Sequence, residues 1–104
     1  MITVNSINKI PIRLTNERWL HIVENHDEMA GYYYDVLETI SNPLYIFEGN
    51  IDEKWAVKLI NENKALLVIY KEQIDKKDGF IITSFITSKV DKLFNRKLLW
   101  KQQK

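Results

Sequence analysis

The change in hydrophobic period at Pro43 constrains the fold of this chain more than any other feature. Between Thr15 and Pro43, apolar residues recur at helical spacing, and after Pro43 they alternate or form short runs typical of strands. With 104 residues, the chain is expected to form a single domain over 1–104. The order of the segments predicts an α+β fold, with two N-terminal helices packed on a roughly four-stranded antiparallel sheet.

The N-terminal half is predicted to contain a short strand and two helices. The strand covers 10–14, and Thr15 then caps a helix that ends near His26 or Met29. The second helix is predicted over 33–41. Pro43 stops this helix, because the residue before a proline is pushed out of the α region.

The C-terminal half is predicted to form an antiparallel meander with short connections. The predicted strands are 45–48, 54–60, 65–70 and 79–87, with a polar loop over 72–79. Residues 90–100 are compatible with either a last helix or an irregular, partly docked tail.

Charge is distributed unevenly along the chain. Residues 89–104 contain six basic residues and one acidic residue, a net charge of +5, whereas the whole chain carries only +1. We expect 89–104 to be a partly ordered basic segment. Such a segment is suited to contact phosphates, but a solvated, frayed terminus has the same composition, and both interpretations stay open.

Composition excludes several classes of site. The chain has no cysteine, which rules out disulfides, thiolate catalysis and cysteine-based zinc sites. No apolar run approaches the ~20 residues of a membrane helix, and the N-terminus does not resemble a signal peptide. We therefore expect a cytoplasmic location and no contact with membranes.

His21 and His26 are the only histidines of the chain. Histidine is the side chain best suited to proton transfer near neutral pH. The i, i+5 spacing differs from the i, i+4 pair that holds zinc, so no metal is expected. The three glycines form no phosphate-binding loop, and no other cofactor is expected. Each histidine also has a structural alternative, as a half-buried packing residue or as a cation at the helix C-terminus.

Hydroxyl and lysine side chains on the predicted strands are further candidates. Thr83 and Thr87 lie on one face of the last strand and Ser84 on the other, and Lys58 lies on an earlier strand. Hydroxyls can hydrogen-bond a phosphate oxygen. However, threonine is also a good strand residue, and a single strand lysine is usually solvated.

These residue types fit cleavage of RNA without a metal, in which the ribose 2′-OH attacks the neighbouring phosphate. The reaction needs a base, an acid and cations that stabilise the added negative charge. A histidine supplies the proton steps, and Arg18, Lys58, Arg96 or Lys97 could supply the charge. The sequence thus favours a metal-independent endoribonuclease; the alternative is a non-catalytic module that binds protein or nucleic acid.

Motifs over residues 12–100 resemble the phage-associated nucleases of the barnase, EndoU, colicin and RelE-like (BECR) type. The resemblance rests on five segments: Arg13–Met29, the Ile46–Gly49 run, Val57–Lys58, Gly79–Thr87, and the basic end that closes in Trp100. The chain departs from the pattern at Asp27, where a proline is expected, and at Ala56, where an aromatic residue is common.

The resemblance implies two helices over a four-stranded antiparallel sheet, and a toxin-like or phage-linked effector that cleaves tRNA or other cellular RNA. RNA is the implied partner, together with an antitoxin or immunity protein. The implied catalytic residues are His21, His26, Lys58, Thr83 and Thr87. The residues that we expect to bind substrate are Arg18, Ser84, Arg96, Lys97 and Trp100.

Overall fold

The computed structural model describes residues 1–103, which form seven strands, three α-helices and two short 3-10 helices. The strands are β1 Ile2–Asn5, β2 Pro11–Leu14, β3 Tyr45–Glu48, β4 Lys54–Asn61, β5 Lys64–Gln73, β6 Asp78–Thr87 and β7 Leu98–Lys101. The α-helices are α1 Asn16–Asn25, α2 Tyr33–Ser41 and α3 Val90–Leu93, and the 3-10 helices are Asp27–Gly31 and Ile74–Lys76.

All seven strands belong to one sheet, in the order β1-β2-β6-β5-β4-β3-β7. The β2–β6 pair is parallel and the other five neighbouring pairs are antiparallel. The α+β class is confirmed. The expected sheet of about four antiparallel strands was too small, because two four-residue strands, β1 and β7, and the parallel strand β2 extend it at its edges.

The predicted helices are confirmed. Thr15 caps α1, since its Oγ1 accepts a hydrogen bond from the Arg18 N–H at 3.1 Å. The helix buries Ile22 and ends at Asn25, with His26 as its C-cap residue. The second helix has the predicted bounds, and Pro43 follows directly after its C-cap residue Asn42.

The sheet has two differently covered faces. The helix-side face carries the larger core, which includes Ile12, Ile22, Met29, Val36, Ile40, Leu66, Val68 and Tyr70. The opposite face carries a smaller cluster of Phe47, Val57, Ala65, Leu67 and Leu93, with Trp55, Phe85 and Val90 packed against it. Alternate residues of β5 go to the two clusters, so both of its faces are covered, as its continuous apolar run indicates.

The basic C-terminal segment is ordered over most of its length. It forms the short helix α3 and then the edge strand β7, which pairs with β3. Trp100 pairs with Ile46, and the Trp100 side chain packs against the helix-side core. The C-terminal residue 104 of the predicted segment lies outside the described residues.

The connection between β5 and β6 is shorter than predicted. The expected polar loop over 72–79 is replaced by strand residues up to Gln73 and from Asp78 onward, with a 3-10 turn between them. The polar side chains at these positions are typical of a loop. Charged residues are also tolerated on the exposed side of a hairpin, so the sequence does not show where the two strands end. Gly79, near the start of β6, pairs with Ile12 of β2.

Candidate functional site

A basic groove lies on the sheet face opposite α1 and α2. It is an open cavity of about 280 Å³, lined by Trp55, Leu67, Phe85, Thr87, Lys89, Lys92, Leu93 and Arg96. Strands β4, β5 and β6 supply its floor, and α3 with the residues around it supplies its cations. We call this cavity the basic groove.

A continuous row of planar side chains extends from His26, at the end of α1, into the groove. The ring centroids of His26 and Phe85 are 5.6 Å apart, at an interplanar angle of 31°. Phe85 meets Trp55 edge to face, with centroids 6.4 Å apart. The guanidinium carbon of Arg96 lies 3.6 Å from the centroid of the Trp55 ring, within the range of a cation–π contact. We call these four residues the aromatic row.

Strand register places the two large aromatic residues of the row side by side. Trp55 of β4 pairs with Ile69 of β5, and Phe85 of β6 pairs with Leu67 of β5. Since Leu67 and Ile69 are two residues apart, their side chains share a face. Trp55 and Phe85 therefore lie on one face of the sheet, on the two strands that flank β5, and their rings meet there.

His26 reaches the row because β2 covers only the beginning of β6. The two strands pair at only two positions, ending at Arg13 and Phe80. Beyond Phe80, α1 and the 3-10 helix that follows it pack against β6. The C-cap residue of α1 is thereby brought beside Phe85.

The imidazole of His26 is accessible to solvent. Its side chain is 36% exposed, and its Nδ1 atom lies 3.9 Å from a carboxylate oxygen of Glu28. The ring thus combines access to solvent, a fixed position against Phe85 and a nearby acceptor, which is an arrangement that can accept or release a proton.

The groove concentrates positive charge. Lys89, Lys92 and Arg96 line it, no acidic residue does so, and none of the three forms an ion pair with a carboxylate of residues 1–103. Arg96 Nη1 donates one long hydrogen bond, 3.3 Å, to the Glu48 carbonyl oxygen. A cavity with unpaired cations and an aromatic floor is suited to an anionic ligand that has planar groups.

Of the three predicted hydroxyl residues, the two threonines share the face of the groove. Thr87 lines the groove, and its Oγ1 accepts a hydrogen bond from the Lys89 N–H at 3.0 Å. No acceptor within the described residues 1–103 takes the hydroxyl proton of Thr87, so this hydroxyl can donate to a ligand. Thr83 pairs with Ile69 and therefore lies on the same face, where it is half-buried.

Ser84 does not reach the groove. Its side chain is fully buried, and its hydroxyl donates a hydrogen bond to the Leu67 carbonyl oxygen at 2.6 Å. Its proton is used within the sheet, so the expectation that Ser84 binds substrate is not supported by its position.

Lys58 lies on the other side of the sheet from Thr83 and Thr87. Its ammonium group pairs with Glu38 and lies 3.7 Å from a carboxylate oxygen of Asp35, both on α2. The alternation of β4 explains this position, since Lys58 shares the face of Ala56, which is in the helix-side core. The structure therefore does not bring Lys58 together with the predicted hydroxyls.

His21 and Arg18 form part of a separate surface on α1. They line a second cavity together with Thr15 and Glu17. His21 is exposed, and its carbonyl oxygen accepts a hydrogen bond from the Asn25 side chain at 2.8 Å. The two histidines thus lie in different surroundings, because α1 ends before His26 and the chain turns there.

The two remaining predicted residues lie outside the groove lining. Lys97 is exposed just before β7, and its carbonyl oxygen accepts the Glu48 N–H at 2.9 Å. Trp100 packs toward the helix side. Of the predicted binding residues, only Arg96 lines the groove.

Sequence reasoning missed Trp55, Phe85, Lys89 and Lys92 as site residues. In the sequence, Trp55 alternates with Val57 and Leu59 and resembles an ordinary core position. One signal in the sequence could have added Phe85 to the site, because Phe85 shares one strand face with the predicted residues Thr83 and Thr87. Connecting Phe85 to Trp55 requires the β4–β5–β6 register, which no local pattern contains.

Within residues 1–103, no three histidine or carboxylate side chains cluster in a way that could hold a metal ion. Over the same residues, no helix has the length and apolar character needed to span a membrane. Comparison with protein-family models, curated proteins and solved structures gave no match for this chain.

Proposed function

We propose that this chain is a metal-independent endoribonuclease that binds RNA in the basic groove. The observation that carries the proposal is the aromatic row, which has a solvent-accessible imidazole at one end and a guanidinium at the other. Stacking surfaces next to unpaired cations are the usual means of holding a single nucleic-acid strand. The imidazole adds a group that can transfer protons near neutral pH.

The proposed reaction uses His26 for proton transfer. The imidazole accepts the proton of the ribose 2′-OH as the 2′ oxygen forms a bond to the adjacent phosphorus. The bond from phosphorus to the 5′ oxygen breaks, and that oxygen takes up a proton from the imidazolium. The products are a 2′,3′-cyclic phosphate and a free 5′-OH, and no metal is required.

The cations of the groove have a separate role in this proposal. Lys89, Lys92 and Arg96 stabilise the additional negative charge on the phosphate oxygens as the 2′ oxygen attacks. The free hydroxyl proton of Thr87 can be donated to one of these oxygens. Lys58 is left out, because its charge is engaged by α2 on the other face of the sheet.

The two histidines provide a matched test. Purified wild type, His26→Ala and His21→Ala are incubated with total cellular RNA in EDTA, and the ends of the fragments are analysed. We expect His26→Ala to reduce cleavage by about 10²- to 10⁴-fold, the usual contribution of a general acid–base residue. We expect His21→Ala to remain near wild type, since His21 lies in another cavity.

Intact RNA with all three proteins at high concentration would contradict the proposal. Equal loss of cleavage in both variants would also contradict it, because His26 would then have no specific role. Fragments ending in a 3′-OH would exclude attack by the 2′-OH.

A non-catalytic nucleic-acid-binding module is the second candidate. It is favoured by the presence of a single imidazole beside Phe85, that of His26, on which both proton transfers of the cleavage would depend. In this case RNA binds in the groove and stays intact, and His26→Ala changes affinity only slightly. The same incubations distinguish the two candidates when binding is measured beside cleavage.

A further inference from the structure

We infer that Trp55 and Arg96 form a subsite for one unpaired nucleobase, so that the RNA must be single-stranded where it crosses the basic groove. The inference rests on the proposed function to the extent that RNA is the ligand of the groove. It adds the form of RNA that fits the groove and the residue that selects it.

The contact between Arg96 and Trp55 shows that the indole ring can take a planar group on its face. The guanidinium carbon lies 3.6 Å from the ring centroid, which is a stacking distance. A nucleobase is also planar and stacks on aromatic rings in a way that tolerates different sequences. The indole face is therefore a surface on which a base could replace the guanidinium.

Arg96 is held weakly enough to be displaced. Apart from its contact with Trp55, its guanidinium makes one hydrogen bond within residues 1–103, at 3.3 Å, to the Glu48 carbonyl oxygen. Arginine forms shorter, charge-assisted bonds with phosphate oxygens. A bound nucleotide thus offers Arg96 a better partner through its phosphate while its base takes the place over Trp55.

The aromatic row also fixes where this base lies along the RNA. Phe85 separates His26 from Trp55, so the distance between imidazole and indole cannot exceed the total of the two centroid distances, 5.6 and 6.4 Å. A base on Trp55 therefore belongs to a nucleotide at or next to the phosphate that His26 serves. A base in a duplex is stacked on both faces and cannot occupy this position.

The test measures binding of an RNA analogue that cannot be cleaved. A labelled 2′-O-methyl oligonucleotide is titrated by fluorescence anisotropy, both as a single strand and as a duplex with its complement. We expect wild type to prefer the single strand by at least tenfold. Trp55→Leu should lose about 5- to 150-fold in affinity for the single strand, the equivalent of one stacked base.

Two further variants separate stacking from folding. Trp55→Phe keeps an aromatic face and should retain most of the preference for the single strand. Tyr34→Leu removes an aromatic ring that is 78% exposed on α2, away from the groove, and should bind like wild type. Removing one base from the oligonucleotide should weaken wild type and leave Trp55→Leu unchanged.

Equal affinity for single strand and duplex would overturn the inference, as would an absence of binding to either. An equal effect of base removal on wild type and Trp55→Leu would do the same. The inference and the nuclease proposal fail separately. Cleavage that depends on His26 but not on Trp55 would contradict only the subsite inference. Binding that depends on Trp55 without any cleavage would contradict only the nuclease proposal.

Discussion

At the residue scale, the hydroxyl of Tyr70 is the least satisfied group of the helix-side core. The residue is fully buried, and its hydroxyl has no hydrogen-bond partner within residues 1–103. Burial raises the pKa of the Tyr70 phenol well above its usual value, because the charged phenolate is disfavoured there, and the nearby Glu72 carboxylate raises it further. The phenol therefore stays neutral throughout the physiological pH range.

Removing this hydroxyl should stabilise the protein. An unpaired buried donor costs about 1–3 kcal/mol, so we expect Tyr70→Phe to raise the free energy of unfolding by roughly 1 kcal/mol. Urea denaturation of wild type and variant measures the difference. A loss of stability of similar size would show that the hydroxyl has a partner in solution, such as a buried water molecule.

The residue identities of the site were only partly predictable. His26, Thr87 and Arg96 were named from the sequence, because histidine, hydroxyl and arginine side chains are typical of phosphate chemistry. Lys58 was named for the same reason, yet its pairing with α2 depends on which face of β4 meets the helices. Side-chain type was readable in the sequence, but the partners of each side chain depend on tertiary packing.

At the element scale, Gly79 makes the parallel pairing of β2 with β6 possible. A Cβ atom at this position would lie 2.4 Å from the Lys71 carbonyl oxygen and 2.6 Å from Cδ1 of Ile12. Both distances are far inside van der Waals contact, and the first involves backbone that cannot move aside. The glycine is needed because β2 and β5 approach β6 from both sides here.

We expect Gly79→Ala to destabilise the fold by about 1–3 kcal/mol, the usual cost of overpacking. Thermal denaturation measures the effect. Gly31→Ala is a suitable control, since a Cβ there meets nothing within 4 Å. Equal stability of the two variants would mean that β2 and β5 do not approach β6 at Gly79 as described.

The elements with strong local periodicity were predictable and the edge strands were not. Both α2 and β3 have the predicted bounds, because helical spacing, Pro43 and a short apolar run mark them locally. In contrast, β1 and β7 are each four residues long and largely exposed, so they show no clear alternation. Their pairing depends on contacts that are distant in sequence, such as Phe47 with Leu98.

At the scale of the whole molecule, positive charge is concentrated in one segment of the chain, residues 89–104, and this segment supplies the cations of the basic groove. The three cations of the groove, Lys89, Lys92 and Arg96, all belong to the segment that carries +5 within a chain of net charge +1. The groove should therefore attract phosphates even though the chain as a whole is almost neutral.

This separation predicts a specific dependence on salt. Three phosphate contacts to a single strand correspond to a slope of about −2 in a plot of log K against log salt concentration, at ~0.7 per contact. We expect Lys92→Gln to make the slope shallower by about 0.7, and Lys76→Gln, in the β5–β6 connection, to leave it unchanged. Anisotropy titrations at several salt concentrations measure the slopes. Identical slopes for Lys92→Gln and wild type would show that Lys92 does not contact a phosphate of the bound strand.

The order of the groove residues along the chain has a consequence for protein synthesis. The aromatic floor comes from β4 and β6, whereas Arg96 lies between α3 and β7. Chains are synthesised from the N-terminus, so Arg96 leaves the ribosome after both strands of the floor. The floor can therefore form first, and the groove is complete only once Arg96 has been placed over Trp55.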